Sequence, residues 1–204
     1  MADWTPANGT IISRTLVTHG HATDGVVVGT GVDVSAWDRV NLHFRWCGLE
    51  AVSNTNPGFW MVLGSQTTND AKHSLIDKIE TNAETPETEA VTSASEPGPI
   101  IELASTTNFV QGNGVYCRDV ATEANSSFRT IVGMVTNTSI TVESALDSTL
   151  QSASSDVIWT PADVFAIPYD VASLQYLNVA FSHQGTVGAN GIIEVLYSAA
   201  TDFE

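Results

Sequence analysis

Apolar side chains recur at every second position over much of this chain, and almost nowhere at every third or fourth. The clearest case is residues 39–46. Val40, Leu42, Phe44 and Trp46 fall on one face, while Arg39, Asn41, His43 and Arg45 fall on the other, the alternation of a strand buried on one side. Residues 10–17 predict a first strand, closed by the His19-Gly20-His21 turn. Val26 to Val28 and Val32 to Val34 predict another, interrupted by Gly29 and Gly31, as at a bulge or bend. Residues 59–63 follow an Asn-Thr-Asn-Pro-Gly turn and are continuously apolar, which predicts a strand covered on both faces. Residues 174–181 and 192–197, separated by a turn at 185–190, predict a hairpin. Helical periodicity does not persist beyond two turns; residues 75–79 and 121–124 come nearest to it.

The strand signals fall into two groups. Residues 80–99 hold five glutamates, three prolines and no basic residue, the composition of a solvated linker or long surface loop. Beyond it, five short strand signals follow at 100–103, 114–118, 128–135, 139–143 and 156–159, enough to close a small barrel and too few for a sandwich. Pro161 is expected to end that module. Adding residues 75–79 and 164–167 to the strands outside it gives eight, the number of a jelly roll. The predicted fold is all-β: a jelly-roll-like antiparallel β-sandwich from 1–79 and 160–204, an acidic linker at 80–99, and a small β-barrel inserted at 100–159.

Composition narrows the function. The chain has 204 residues, 43% apolar and 15% charged, with 7 basic against 23 acidic residues and a net charge of −16. So negative a surface is repelled by phosphate backbones, which argues against a nucleic-acid partner. No apolar run approaches the ~18 residues that span a bilayer, so no membrane partner is expected. The opening Met-Ala-Asp-Trp-Thr-Pro predicts no secretory leader. Two cysteines, Cys47 and Cys117, are too few for a disulfide framework or a zinc site.

Motifs for chemistry are missing from the sequence. There is no Gly-x-Gly-x-x-Gly, no phosphate-binding Gly-x-x-x-x-Gly-Lys-Ser/Thr, no Gly-x-Ser-x-Gly and no His-Glu-x-x-His. His19 and His21 flank a glycine but have no third ligand at a readable spacing, and a turn explains them as well. His43 lies on the polar face of its strand. Asp33 and Asp38 bracket residues 34–37, where aspartates cap turns. The reading is therefore of a chain that is not an enzyme, with no catalytic residue, cofactor or metal. Of the five tryptophans, Trp46 and Trp60 lie in core patterns and Trp159 ends the inserted module. Trp4 and Trp37 lie in polar context and are the candidates for an interface or ligand surface.

Two segments of the inserted module carry a family resemblance. Residues 102–116, Glu-Leu-Ala-Ser-Thr-Thr-Asn-Phe-Val-Gln-Gly-Asn-Gly-Val-Tyr, present a small-polar run, a Phe and a Gly before a strand. Residues 130–146 present a strand, a Thr/Asn turn and an Ile-Thr-Val strand leading to Leu146. Both are similar to barrel modules of tailed-bacteriophage virion proteins, and the outer sandwich resembles the head decoration (cement) proteins of such phages. The resemblance implies a structural role on the outer surface of a phage head, after production in the host cytoplasm. It implies the major capsid protein as partner and a homo-oligomer, trimer or dimer, and it supplies no catalytic residues. A tail or head–tail connector component, or a carbohydrate-binding sandwich using Trp4 or Trp37, are the competing expectations.

Overall fold

The computed structural model describes residues 7–17, 25–48, 58–67, 73–81, 87–92, 98–146, 150, 156–183 and 191–200. The described residues form fourteen strands: β1 (Ala7–Val17), β2 (Gly25–Val28), β3 (Val32–Asp33), β4 (Arg39–Cys47), β5 (Phe59–Ser65), β6 (Ser74–Glu80), β7 (Glu87–Ala90), β8 (Ile100–Glu102), β9 (Gly114–Arg118), β10 (Ser127–Val135), β11 (Ser139–Val142), β12 (Val157–Asp170), β13 (Tyr176–His183) and β14 (Gly191–Ala200). Among the described residues the only helical element is a single 3-10 turn, Glu123–Asn125. Two compact units form, one from Met1–Glu84 with Phe165–Glu204, the other from Thr85–Val164. Their boundary falls inside β12.

The first unit is an antiparallel sandwich. One sheet runs β1-β14-β4 and continues to β12; the other runs β2-β13-β5-β6, with β3 also on β13. Taking β2 and β3 as one bent strand gives eight strands, ordered 1-8-3-6 and 2-7-4-5. This is the interleaving of a jelly roll, in which two Greek keys share one core. Alternation builds that core. In β4, Val40, Leu42, Phe44 and Trp46 are buried, as the sequence pattern predicts. Trp60 of β5 reaches across to Phe44 and Trp46, with ring centroids 5.5 and 6.1 Å away, and lies 4.7 Å from Phe181 in its own sheet. The Tyr169 hydroxyl donates to Asp77 at 2.8 Å, joining β12 to β6 of the opposite sheet.

Three details refine the sequence reading of this unit. The bend at Gly29 fits against a bulge in β1, where Ile11 and Ile12 are both buried. Thr30 N–H donates to the Ile11 carbonyl, and a Cβ on Gly29 would come within 2.9 Å of that oxygen. β5 is not covered on both faces: Trp60 and Val62 are buried, whereas Phe59, Met61 and Leu63 are half-buried. The Lys78 ammonium sits 4.5 Å above the Phe59 ring and shields that outer face only in part. β13 and β14 do not form the expected hairpin. β13 pairs with β2, β3 and β5, and β14 pairs with β1 and β4. Each has one apolar face, and both faces are satisfied from opposite sides of the same core; the intervening turn at 185–190 lies outside the described residues.

The second unit is a small barrel. Its strands follow the order β12-β9-β10-β11-β8, with β7 on the free side of β12. The ring closes where Val91, just past β7, bridges to Leu103, just past β8, and Thr92 N–H donates to the Glu102 carbonyl. Ile101, Val115, Cys117, Ile131, Ile140 and Ile158 point inward among the buried residues that fill it. Tyr116 stands in register with Phe128 and Trp159 on the other face of the same strands, and its ring lies 4.9 and 5.8 Å from theirs.

Two expectations fail here. Residues 87–92 are not solvated linker: β7 pairs with residues 157–160 of β12, and Val91 is buried. Strand pairing and one buried valine prevail over the acidic, proline-rich composition of the wider segment. Nor does Pro161 end the module; it lies within β12, after a cis peptide bond. The pairing of β12 with β9 slips by one residue between Trp159 and Ala162, so a residue without an N–H is accommodated at a bulge. There β9 and β12 approach closely: a Cβ on Gly114 would sit 2.1 Å from the Ala162 carbonyl oxygen, so only glycine fits.

Cys117 supplies a test of this core. Burial pushes its thiol from an ordinary 9.0 to about 12. Its folded-state value is raised, so its contribution is complete below pH 9 and is lost as the pH rises from there toward 12. Stability should fall across that window by up to about 1.4 kcal/mol per pH unit, and Cys117→Val should flatten the fall, as read by urea unfolding at pH 8 to 11.

Candidate interaction surface

The barrel presents apolar side chains outward as well as inward. Ile100 of β8, Thr141 of β11 and Gly133 of β10 are register partners across three strands. The next row in, Ile101 with Ile140, points to the core. Beside the outward row stand Val132 and Val135 of β10, and Ile100 and Val135 are more than half exposed. Val110 is equally exposed, in a loop tied to β10 by Gln111 Nε2 donating to the Val132 carbonyl and Gly112 N–H donating to the Ile131 carbonyl. Gly133 leaves the middle of this face without a side chain; the nearest atom to a Cβ placed there is Thr141 Cβ at 3.5 Å.

The strands that build this face are fixed from behind. The hairpin between β10 and β11 turns at Asn137, whose φ of 52° is tolerated by asparagine. Asn137 N–H donates to Thr106 Oγ1 and Thr138 N–H to the Val135 carbonyl. Thr130 N–H donates to the Glu143 carboxylate. Residues 85–164 carry ten acidic and two basic residues, a net charge of −8. Both arginines are engaged within the barrel: Arg118 pairs with Glu123 at 3.0 Å, and Arg129 donates to the Phe128 and Ala145 carbonyls. The outward face is thus apolar at its centre, within a negative unit.

Other charged and polar groups are spent on structure. Asp119 Oδ1 accepts from Thr122 N–H and its Oδ2 from Asn125 Nδ2, while Asp156 Oδ1 accepts from Val120 N–H. Glu194 pairs with Arg45 at 3.1 Å across β14 and β4. His43 Nε2 lies 3.1 Å from Ser198 Oγ; desolvation, and then the Arg45 charge, hold its pKa below the ordinary value. Asp33 caps its turn by accepting from Ser35 N–H and Oγ, which lowers its pKa.

Trp37 follows that turn. It is half-buried, packed against the sandwich core with its ring 5.7 Å from Tyr197. Trp4, His19 and His21 lie outside the described residues. Trp46, Trp60 and Trp159 are buried. The apolar outward face of the barrel has no counterpart among the residues singled out in the sequence, where Val132 and Val135 look like any other strand valines.

Sheet edges offer less. Within the second sheet of the sandwich, β6 pairs only with β5 among the described strands, but it bulges at Ile76, between Asp77 opposite Val62 and Leu75 opposite Leu63. It also carries the exposed Lys78–Glu80 pair at 3.1 Å. β1, at the end of the other sheet, shifts register twice against β14. Bulges and edge charges discourage the addition of a foreign strand.

No protein-family model matches the chain, and no curated protein is similar to it in sequence.

Proposed function

We propose that this chain is a structural virion protein, a decoration (cement) protein that binds the outer surface of a tailed-phage head and stabilises it. Its partner would be the major capsid protein, and it would act as a homo-oligomer, trimer or dimer. The observation that carries this reading is the apolar outward face around Ile100, Val132 and Val135, held on a barrel whose own core is separately filled. Such a face contributes affinity by burying apolar area, and a partner with an apolar patch rimmed by cations complements the −8 unit around it. Repetition over a capsid lattice multiplies a modest single-site affinity. The consumption of buried carboxylates by backbone amides and arginine agrees with use for shape. The blunted sandwich edges favour side-chain anchors over strand addition.

The test mixes the purified protein with undecorated, DNA-filled heads of the phage that encodes it. Saturable binding at a fixed ratio to the capsid lattice is expected, with density on the head surface by electron microscopy. Val132→Asp combined with Val135→Asp should weaken binding about thirtyfold or more, since central apolar anchors are worth about 2 kcal/mol or more together. These side chains are exposed, so the melting temperature should barely move. Density on the tail or connector would replace the reading with one of those components, and failure to bind the particle would end it.

A further inference from the structure

The sandwich unit has an open cleft of about 420 Å³ at the end of β5, lined by Gly64, Ser65, Gln66, Thr67, Ser74, Ile76 and Leu174. Its volume is in the range of small-molecule sites. Its chemistry is specific. In a chain where acidic residues outnumber basic ones by 23 to 7, the described lining has no formal charge. It presents three hydroxyls, one carboxamide and an apolar floor.

The floor and rim are both built. A Cβ on Gly64 would fall 2.5 Å from Ile76 Cδ1 and 3.0 Å from Leu174 Cδ1, so the glycine lets these two side chains lie close over the strand. Ile76 is available to the cleft because it is the bulged residue of β6 and 43% exposed. On the rim, the Ser65 hydroxyl is buried; Thr67 N–H donates to it at 3.1 Å, and the Thr67 hydroxyl lies 3.2 Å from it. That bond pattern fixes the turn carrying the exposed Gln66 and Thr67. Ser74 faces it from the start of β6, in register with Gly64.

We propose that this cleft binds a neutral polyhydroxylated ligand, a saccharide ring. Such a ring has apolar C–H faces and a rim of hydroxyls that both donate and accept. Ile76 and Leu174 meet the first; the hydroxyls of Thr67 and Ser74 and the Gln66 carboxamide meet the second. A charged ligand would find no counter-ion in the described lining, and burying its charge unpaired is costly. The site includes neither Trp37 nor any residue of the barrel face, so it does not depend on the reading of the protein as a decoration component.

The experiment titrates maltose, cellobiose, lactose and diacetylchitobiose, with glucuronate as the charged control, into the isotopically labelled full chain while amide shifts are followed. At least one neutral disaccharide should move the Gly64, Ser65, Thr67 and Ser74 amides together, with a Kd on the order of 1 mM, as expected of a shallow site. Ser74→Trp should fill the cleft and weaken binding at least tenfold; Gln66→Ala should weaken it severalfold. Both residues are exposed, so unchanged melting temperatures would show that the variants are folded. Head binding by Ser74→Trp should equal that of the parent, which separates this proposal from the preceding one. Shifts in none of the titrations, shifts confined to other residues, or binding that survives in both folded variants would each overturn it.

Discussion

Trp60→Ala should lower the stability of the sandwich by about 3–5 kcal/mol, the range for emptying the space of a large aromatic side chain in a packed core. Trp60 is fully buried and touches the aromatic rings of both sheets: Phe44 and Trp46 on one side, Phe181 on its own. Phe165 packs behind them, 5.5 Å from Phe44 and 5.1 Å from Trp46, so the rings form one continuous cluster. Truncating the central ring removes contacts from every neighbour at once. Large side chains anchored to different strands refill such a space poorly. Trp60 Nε1 has no hydrogen-bond partner among the described residues, so the loss is one of packing. Trp60→Phe should accordingly cost far less. Urea unfolding followed by circular dichroism reads both values; a cost below about 1 kcal/mol for the alanine variant would mean that this cluster is not the keystone of the unit.

Ile140→Asp should have the larger effect, concentrated in the barrel. Ile140 is fully buried and lies opposite Ile101 and Met134 on adjacent strands. The substitution forfeits roughly 2–5 kcal/mol of packing and adds the cost of a carboxyl group in an apolar interior, several kcal/mol more. Together these match the roughly 5–15 kcal/mol that holds a typical domain folded. The barrel core and the sandwich core are distinct clusters with no shared residue. Amides of β8 to β11 should therefore lose hydrogen-exchange protection while those of β4, β13 and β14 retain theirs. Equal loss in both units would show that their stabilities are inseparable. Ile140→Val, which keeps shape and apolarity, should cost about 1 kcal/mol and preserve protection throughout.

Strand positions and faces were legible because alternation at period two survives wherever one face is wet. Val40 to Trp46 is the plain example: every predicted core position is buried. Partnership was not legible, because alternation says which side of a strand is apolar and nothing about which strand lies beside it. The proximity of β13 and β14 in the chain suggested a hairpin, whereas the core they share places them in opposite sheets. The sixth stave of the barrel was hidden for a different reason. Glu87, Glu89 and Ala90 have little preference for extended structure, and the segment becomes a strand because β12 offers it a ladder. The apolar outward face was not legible because exposure depends on register: Val132 and Val135 differ from Ile131 and Ile140 only in the direction they point. The saccharide cleft needed even more, since its residues come from three strand ends that meet only in the folded unit.

The pairing of β1 with β14 has a consequence for biosynthesis. The first described strand finds its partner some 180 residues downstream, so on the ribosome the jelly roll waits with an apolar ribbon unsatisfied until β14 has emerged. The staves of the barrel are all encoded between residues 85 and 164, and that ring gains its last member while β14, the strand that lies between β1 and β4, is still untranslated. The inner module is therefore placed to mature co-translationally, ahead of the body that encloses it in sequence.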